Sequence, residues 1–203
     1  MTSLTSTLRQ QAAEIVRAAR QSVVQVQLDQ RGLGAGIIWH SGSQRSRVLT
    51  NAHVVAAAGR RPAIRVKLPD ERSVPAEVVA TQRELDLALL EVPLGGLKPA
   101  RRRVSNLPRP GELVFAIGHP FGDPEVVTVG LISGIGYLVW PRQGQRTPYL
   151  FSDVRLAPGN SGGPLINADG EVVGIAAMII GGDLSTAIPA LVAQRWVEQG
   201  EAI

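Results

Sequence analysis

Ala157-Pro158-Gly159-Asn160-Ser161-Gly162-Gly163-Pro164 is the stretch on which the reading of this chain turns. One serine stands in a loop of small residues, and an apolar strand candidate, Leu165-Ile166, follows it. Small residues let backbone N–H groups converge on one point, and Gly159 can take a φ that other residues reach only at a penalty. A nucleophilic serine needs this setting: an exposed Oγ, with N–H donors aimed at the oxyanion it creates. The expected oxyanion turn is Gly159, Asn160 and Ser161, with the N–H groups of Gly159 and Ser161 as the donors. The bland alternative is an ordinary Gly/Pro turn between strands, and the octapeptide alone does not exclude it.

Two upstream stretches decide between these. Thr50-Asn51-Ala52-His53-Val54-Val55 sets a histidine after a strand candidate. Asp86-Leu87-Ala88-Leu89-Leu90 sets a carboxylate at the head of an apolar run. A serine hydroxyl is a poor nucleophile until a base takes its proton, and neutral His53 is the expected base. Asp86 is expected to fix the imidazole tautomer and to stabilise the imidazolium. The order His, Asp, Ser is one of three known solutions to this geometry, the one used by double β-barrel proteases. Each residue alone is more often structural; the three together reverse that weighting. His40 and His119 have no such context, and His119 reads as part of a structural turn, Gly118-His119-Pro120-Phe121-Gly122.

The strings TNAHVV, DLALL, GHPFG, GNSGGP and the exit Ala187-Ile188-Pro189 resemble the HtrA/Deg branch of trypsin-like serine proteases. The resemblance runs from about Val23 to Gly200. It implies an all-β fold of two packed six-stranded antiparallel β-barrels, with a short N-terminal helix and a C-terminal helix. The expected activity is endopeptidase cleavage of unfolded or damaged polypeptides through an acyl-enzyme, in protein quality control. By analogy, Leu156, Ala176, Ala177, Met178 and Ile188 line the specificity pocket, and their apolar side chains imply a small or medium aliphatic residue before the cleaved bond. Substrate backbone is expected to add as a strand along residues 176–178. Trypsin-like zymogens carry an aspartate where Asn160 stands. Asn cannot pair with a cut N-terminus, so no zymogen processing is expected. The resemblance also implies a possible homo-trimer. A PDZ domain often follows in that branch; this chain reads as a protease domain alone.

Composition agrees with this. The chain has 203 residues, 44% hydrophobic, and no cysteine, so disulfides and thiol catalysis are excluded. The formal charge of +4 is spread along the sequence, and interleaved aromatics are few, so nucleic acid is not an expected partner. The histidines lack ligand spacing, so no metal and no cofactor is expected. No apolar run approaches a membrane span. Residues 1–20 lack a secretory h-region, which leaves either a cytoplasmic protein or an exported one trimmed of its leader.

Leu8, Ala12, Ile15, Val16 and Ala19 fall at helical spacing, giving an N-terminal helical segment, 1–21. Short β-rich runs with turn residues between them then suggest a barrel over 22–100, carrying His53 and Asp86. Alternating βαβ units are absent. Residues 101–110 read as the inter-barrel linker, in which Arg101, Arg102 and Arg103 are expected to be solvated. A second barrel carrying Ser161 follows over 111–189, then a C-terminal helix and tail over 190–203. Pro189 suits the helix start and Gly200 its end. The rival to the enzyme is a chaperone-like binder of unfolded chains, with a resting or silent site.

Overall fold

A computed structural model of the chain describes residues 4–28, 31–56, 64–119, 126–139, 146–180 and 184–201. Pro120, Phe121 and Gly122 of the turn read from the sequence lie outside these, as does the side chain of Met178. The chain opens with helix α1 (Leu4–Arg20). Its Ile15, Val16 and Ala19 pack against the core, as the helical spacing requires.

The first unit holds β1 (Val23–Leu28), β2 (Arg31–Ser41), β3 (Ser46–Thr50), the short helix α2 (Ala52–Ala56), β4 (Ile64–Lys67), β5 (Ser73–Pro75), β6 (Glu77–Gln82) and β7 (Leu87–Val92). Its strands form one antiparallel sheet in the order β5-β4-β1-β2-β3-β7-β6. The β-rich run from Val74 to Thr81 is divided at Ala76. There the Ala76 N–H bonds to Ile64, while β6 crosses to pair with β7. The sheet curls around Val24, Val26, Ile38, Val48, Val66 and Leu90.

The second unit holds β8 (Leu113–Gly118), β9 (Val126–Val139), β10 (Arg146–Ser152), β11 (Pro164–Asn167), β12 (Val172–Ile180) and β13 (Leu184–Pro189). These six close into a barrel, β10-β13-β12-β11-β8-β9. Its interior is Val114, Ala116, Ile132, Leu150, Leu165, Val173 and Ala187. Helix α3 (Ala190–Glu201) follows Pro189 and continues through Gly200, the residue expected to end it.

A third cluster lies between the units. Ile37, Trp39, Leu49, Leu87 and Leu89 of the first meet Ile117, Tyr149, Ile166, Ile175 and Ile188 of the second, together with Ala190, Ala193 and Val197 of α3. Apolar burial at this seam therefore fixes how the two units meet.

Of the arginine run, Arg101 is exposed as expected, while Arg102 and Arg103 are partly buried. Arg102 is half-buried, stacked 4.6 Å from the centroid of the Trp39 ring, and it donates to the Trp39 carbonyl. Burial pulls its guanidinium below the ordinary value, with Glu198 acting against that. Arg103 pairs with Glu112 at 2.7 Å, and Arg101 donates to the Asp169 carbonyl at 3.1 Å. Between them the backbone bridges Val172 in β12, through Arg103 N–H to Val172 and Val172 N–H to Arg101. The run thus fastens the linker to both units. Arg102→Ala is expected to lower stability by about 2–3 kcal/mol, from the lost stacking and charged hydrogen bond. Urea unfolding should show this as a lower midpoint with an unchanged slope.

Candidate active site

His53 rides on α2, five residues that follow β3. Ala52, Val54 and Val55 of α2 are buried, so the apolar face is turned inward and His53 is turned out, its side chain 47% exposed. Asp86 lies on the turn before β7, in a left-handed conformation at φ +54°. Aspartate tolerates this region better than most residues. Its carbonyl accepts from the Ala52 N–H at 3.1 Å and from Asn51 Nδ2 at 2.9 Å. Its carboxylate accepts from the His53 N–H at 2.9 Å through Oδ1, and lies 2.7 Å from His53 Nδ1 through Oδ2. A carboxylate can only accept, so in the neutral ring Nδ1 carries the proton and Nε2 presents the lone pair.

The second unit touches this turn as well. The Tyr149 hydroxyl points at the Leu85 carbonyl, 3.5 Å away. Burial, with the Asp86 charge adding to it, pushes the phenol up to about 12.

The serine loop is built from its own backbone. Asn160 N–H closes on Ala157 at 2.9 Å, and Gly163 N–H on Asn160 at 2.9 Å. Gly162 N–H and the Gly163 carbonyl then pair with Ala176 of β12, at 2.9 and 2.8 Å. Gly162 sits at φ +83°, and a Cβ there would come within 2.2 Å of Thr50 Oγ1 and 2.3 Å of the Ala35 carbonyl. The loop therefore presses on the first unit, and the Ala35 N–H of β2 bonds to the Ser161 carbonyl at 2.8 Å. A Cβ on Gly34 would lie 2.8 Å from both the Ser161 carbonyl and Val54, the residue after His53. Gly34 of β2 thus lies between the serine loop and the histidine helix, close to both.

The N–H groups of Gly159, at φ +105°, and of Ser161 have no acceptor among the described residues. These are the two donors expected from the sequence. The Asn160 N–H is already bonded to Ala157, so it has no donor to give an oxyanion. Asn160 acts below the turn instead: its side chain is 3% exposed, and its Oδ1 is buried without a partner against Gly118. A neutral amide is tolerated there far better than a carboxylate with no cation beside it.

The Ser161 hydroxyl donates to the Ala177 carbonyl at 3.1 Å. Ala177 is the extra residue of a bulge in β12, between the paired Ala176 and Met178. A bulge re-aims the backbone, and here it turns that carbonyl toward the serine. Of the expected pocket residues, Ala176, Ala177 and Ile188 are buried, while Leu156 is half-buried against the interior of the second barrel. Ile188 belongs to the seam core at 0% exposure. Arg155 is exposed. A cavity of about 600 Å³ opens beside His53 and Asp86, walled by Ala52, Val55, Val78, Thr81 and Arg83.

Thr50, Asn51 and Ala35 hold the site yet carry no reacting atom, and sequence reading passed over all three. Their only signal was position, directly before His53 or opposite the glycines of the serine loop.

The trypsin-like peptidase domain family matches residues 34–175. The chain belongs to that family. Curated relatives called "Probable periplasmic serine endoprotease DegP-like" agree with it. The relative from Marinomonas sp. (strain MWYL1) is 42% identical over 173 residues, 82% of this chain and 35% of the relative. The one from Pseudomonas fulva (strain 12-X) is 40% identical over 181 residues, 87% of this chain and 36% of the relative. The one from Halomonas elongata is 41% identical over 176 residues, 84% and 35%. This trypsin-like peptidase domain thus spans about a third of the length of those relatives. No helix among the described residues is long and apolar enough to cross a membrane.

Proposed function

We propose that the chain is a serine endopeptidase that cleaves unfolded polypeptides by a Ser-His-Asp acyl-enzyme mechanism. The observation that carries this is the His53–Asp86 pair, held by two hydrogen bonds at 2.9 and 2.7 Å, with the Ser161 loop and the His53 helix both packed close to Gly34. The first unit supplies the base and its orienting carboxylate; the second supplies the nucleophile.

Ser161 Oγ attacks the peptide carbonyl as His53 Nε2 takes its proton. The Gly159 and Ser161 N–H groups receive the oxyanion. The imidazolium then gives its proton to the departing amine, leaving an acyl-Ser161. Water, deprotonated by His53, hydrolyses that ester and restores the serine. At rest the hydroxyl lies on the Ala177 carbonyl, so substrate arrival must turn it toward His53.

The relatives' names favour an exported protein over a cytoplasmic one, and a quality-control role in that compartment suits cleavage of unfolded chains. The apolar residues of β12 favour an aliphatic residue before the cleaved bond. Fluorogenic peptides with Val or Ala there should be cleaved at least about tenfold faster than those with Lys. Faster cleavage after Lys or Arg would sink that assignment.

A second reading has one observation behind it. A hydroxyl resting on Ala177 suits a binder whose nucleophile stays silent. Casein digestion beside a fluorophosphonate probe separates the two, with the label mapped by mass spectrometry. The peptidase reading expects casein fragments and a label on Ser161. Folded protein that gives neither would overturn it in favour of the binder.

A further inference from the structure

We infer that Thr50 and Asn51 are positioning residues, one for Ser161 and the other for Asp86, so that the end of β3 sets the register of the whole triad. The inference rests on the triad reading above.

Successive residues of an extended chain point to opposite sides. Thr50 and Asn51 use this to reach opposite halves of the site. Thr50 Oγ1 donates to the Ala35 carbonyl at 2.7 Å, and the Ala35 N–H donates to the Ser161 carbonyl at 2.8 Å. Thr50 is also the side chain that a Cβ on Gly162 would strike. It therefore fixes both the strand that holds the serine loop and the depth to which that loop docks. Asn51 Nδ2 donates to the Asp86 carbonyl at 2.9 Å, beside the Ala52 N–H on the same oxygen. Two donors on that carbonyl hold Asp86 at its unfavourable positive φ, and with it the carboxylate that grips His53. His53 follows two residues on.

Burial sharpens the argument for Asn51. Both residues are 0% exposed, and Asn51 Oδ1 has no partner among the described residues. A half-satisfied buried amide is worse for folding than a small apolar side chain. Folding alone gives no reason for an amide here; the donor on Asp86 does.

The test uses Thr50→Val, Thr50→Ser and Asn51→Ala, each in the wild-type and Asp86→Ala backgrounds. Two quantities are read: the rate of fluorophosphonate labelling, and the low-field NMR signal of the proton between His53 Nδ1 and Asp86. Small displacements of reacting groups lower rates by roughly a hundredfold. Asn51→Ala should slow labelling by about that factor and lose the low-field signal. In the Asp86→Ala background it should slow labelling by no more than about twofold, because its target is gone. Thr50→Val should slow labelling roughly tenfold in both backgrounds and, where Asp86 is present, keep the signal, and Thr50→Ser should restore most of the rate. If Asn51→Ala does not fold, Asn51→Ser is read in the same way. An equal loss from Asn51 substitution in both backgrounds, or a low-field signal that survives it, overturns the assignment to Asp86. A Thr50→Ser variant as slow as Thr50→Val overturns the assignment to Ser161. The NMR readout needs no turnover, so it decides the Asn51 half even if the protein proves to be no peptidase.

Discussion

Ser161→Ala is expected to lower cleavage of casein and of a fluorogenic peptide by roughly 10⁵- to 10⁶-fold and to abolish fluorophosphonate labelling. In the proposed mechanism the nucleophile and its base act as one unit. Without the hydroxyl, His53 has no proton to take, and the oxyanion donors at Gly159 and Ser161 can only assist attack by water. His53→Ala should therefore lose a similar factor, and the double variant should lose no more than either single one. The fold should be retained in both. Among the described residues the Ser161 side chain makes one hydrogen bond, to Ala177, and His53 is turned toward solvent. Each single loss is thus a loss of chemistry, and the unfolding midpoint should shift little. A serine variant that keeps a tenth of the wild-type rate, or two losses that multiply in the double variant, would contradict a shared proton-transfer step.

The residues proposed to carry reacting atoms stand out in the sequence because chemistry restricts them to few residue types in one order. His53, Asp86, Ser161 and the small residues around the serine stood out on those grounds. What holds them was not legible, since each support joins positions far apart in the chain. Asn51 reaches a carbonyl 35 residues ahead, and the Ala35 N–H reaches the serine loop across the seam. Neither partner can be read from local pattern.

The fold shows the same division. Alternating Val, Ile and Leu marked most strands. A glycine inside a strand can mark a break, yet β9 runs on through Gly136. In the structure a Cβ at Gly136 would strike the Phe151 ring at 2.3 Å. The glycine is there for the close approach of a neighbouring strand, with pairing to β10 unbroken around it. Arg102 was read as solvated because three arginines in a row usually are. Its place over Trp39 exists only once the linker has crossed the seam.

Asp86→Asn should lower kcat by roughly 10⁴-fold while leaving the protein folded. The geometry dictates which way the new amide turns. One carboxylate oxygen of Asp86 accepts the His53 backbone N–H, and the other faces His53 Nδ1. The backbone N–H can only donate, so the amide oxygen must take it and the NH₂ must face Nδ1. Nδ1 is then the acceptor, and the ring proton moves to Nε2. The atom that should receive the Ser161 proton already holds one, so the base is blocked although nothing has moved. The opposite flip would set NH₂ against N–H and leave both donors without an acceptor. The low-field proton signal should vanish with the activity, while the unfolding midpoint stays within a few degrees. Retention of more than a tenth of the wild-type kcat in this variant would mean that Asp86 does not set the tautomer, and the mechanism proposed for Ser161 would lose its base.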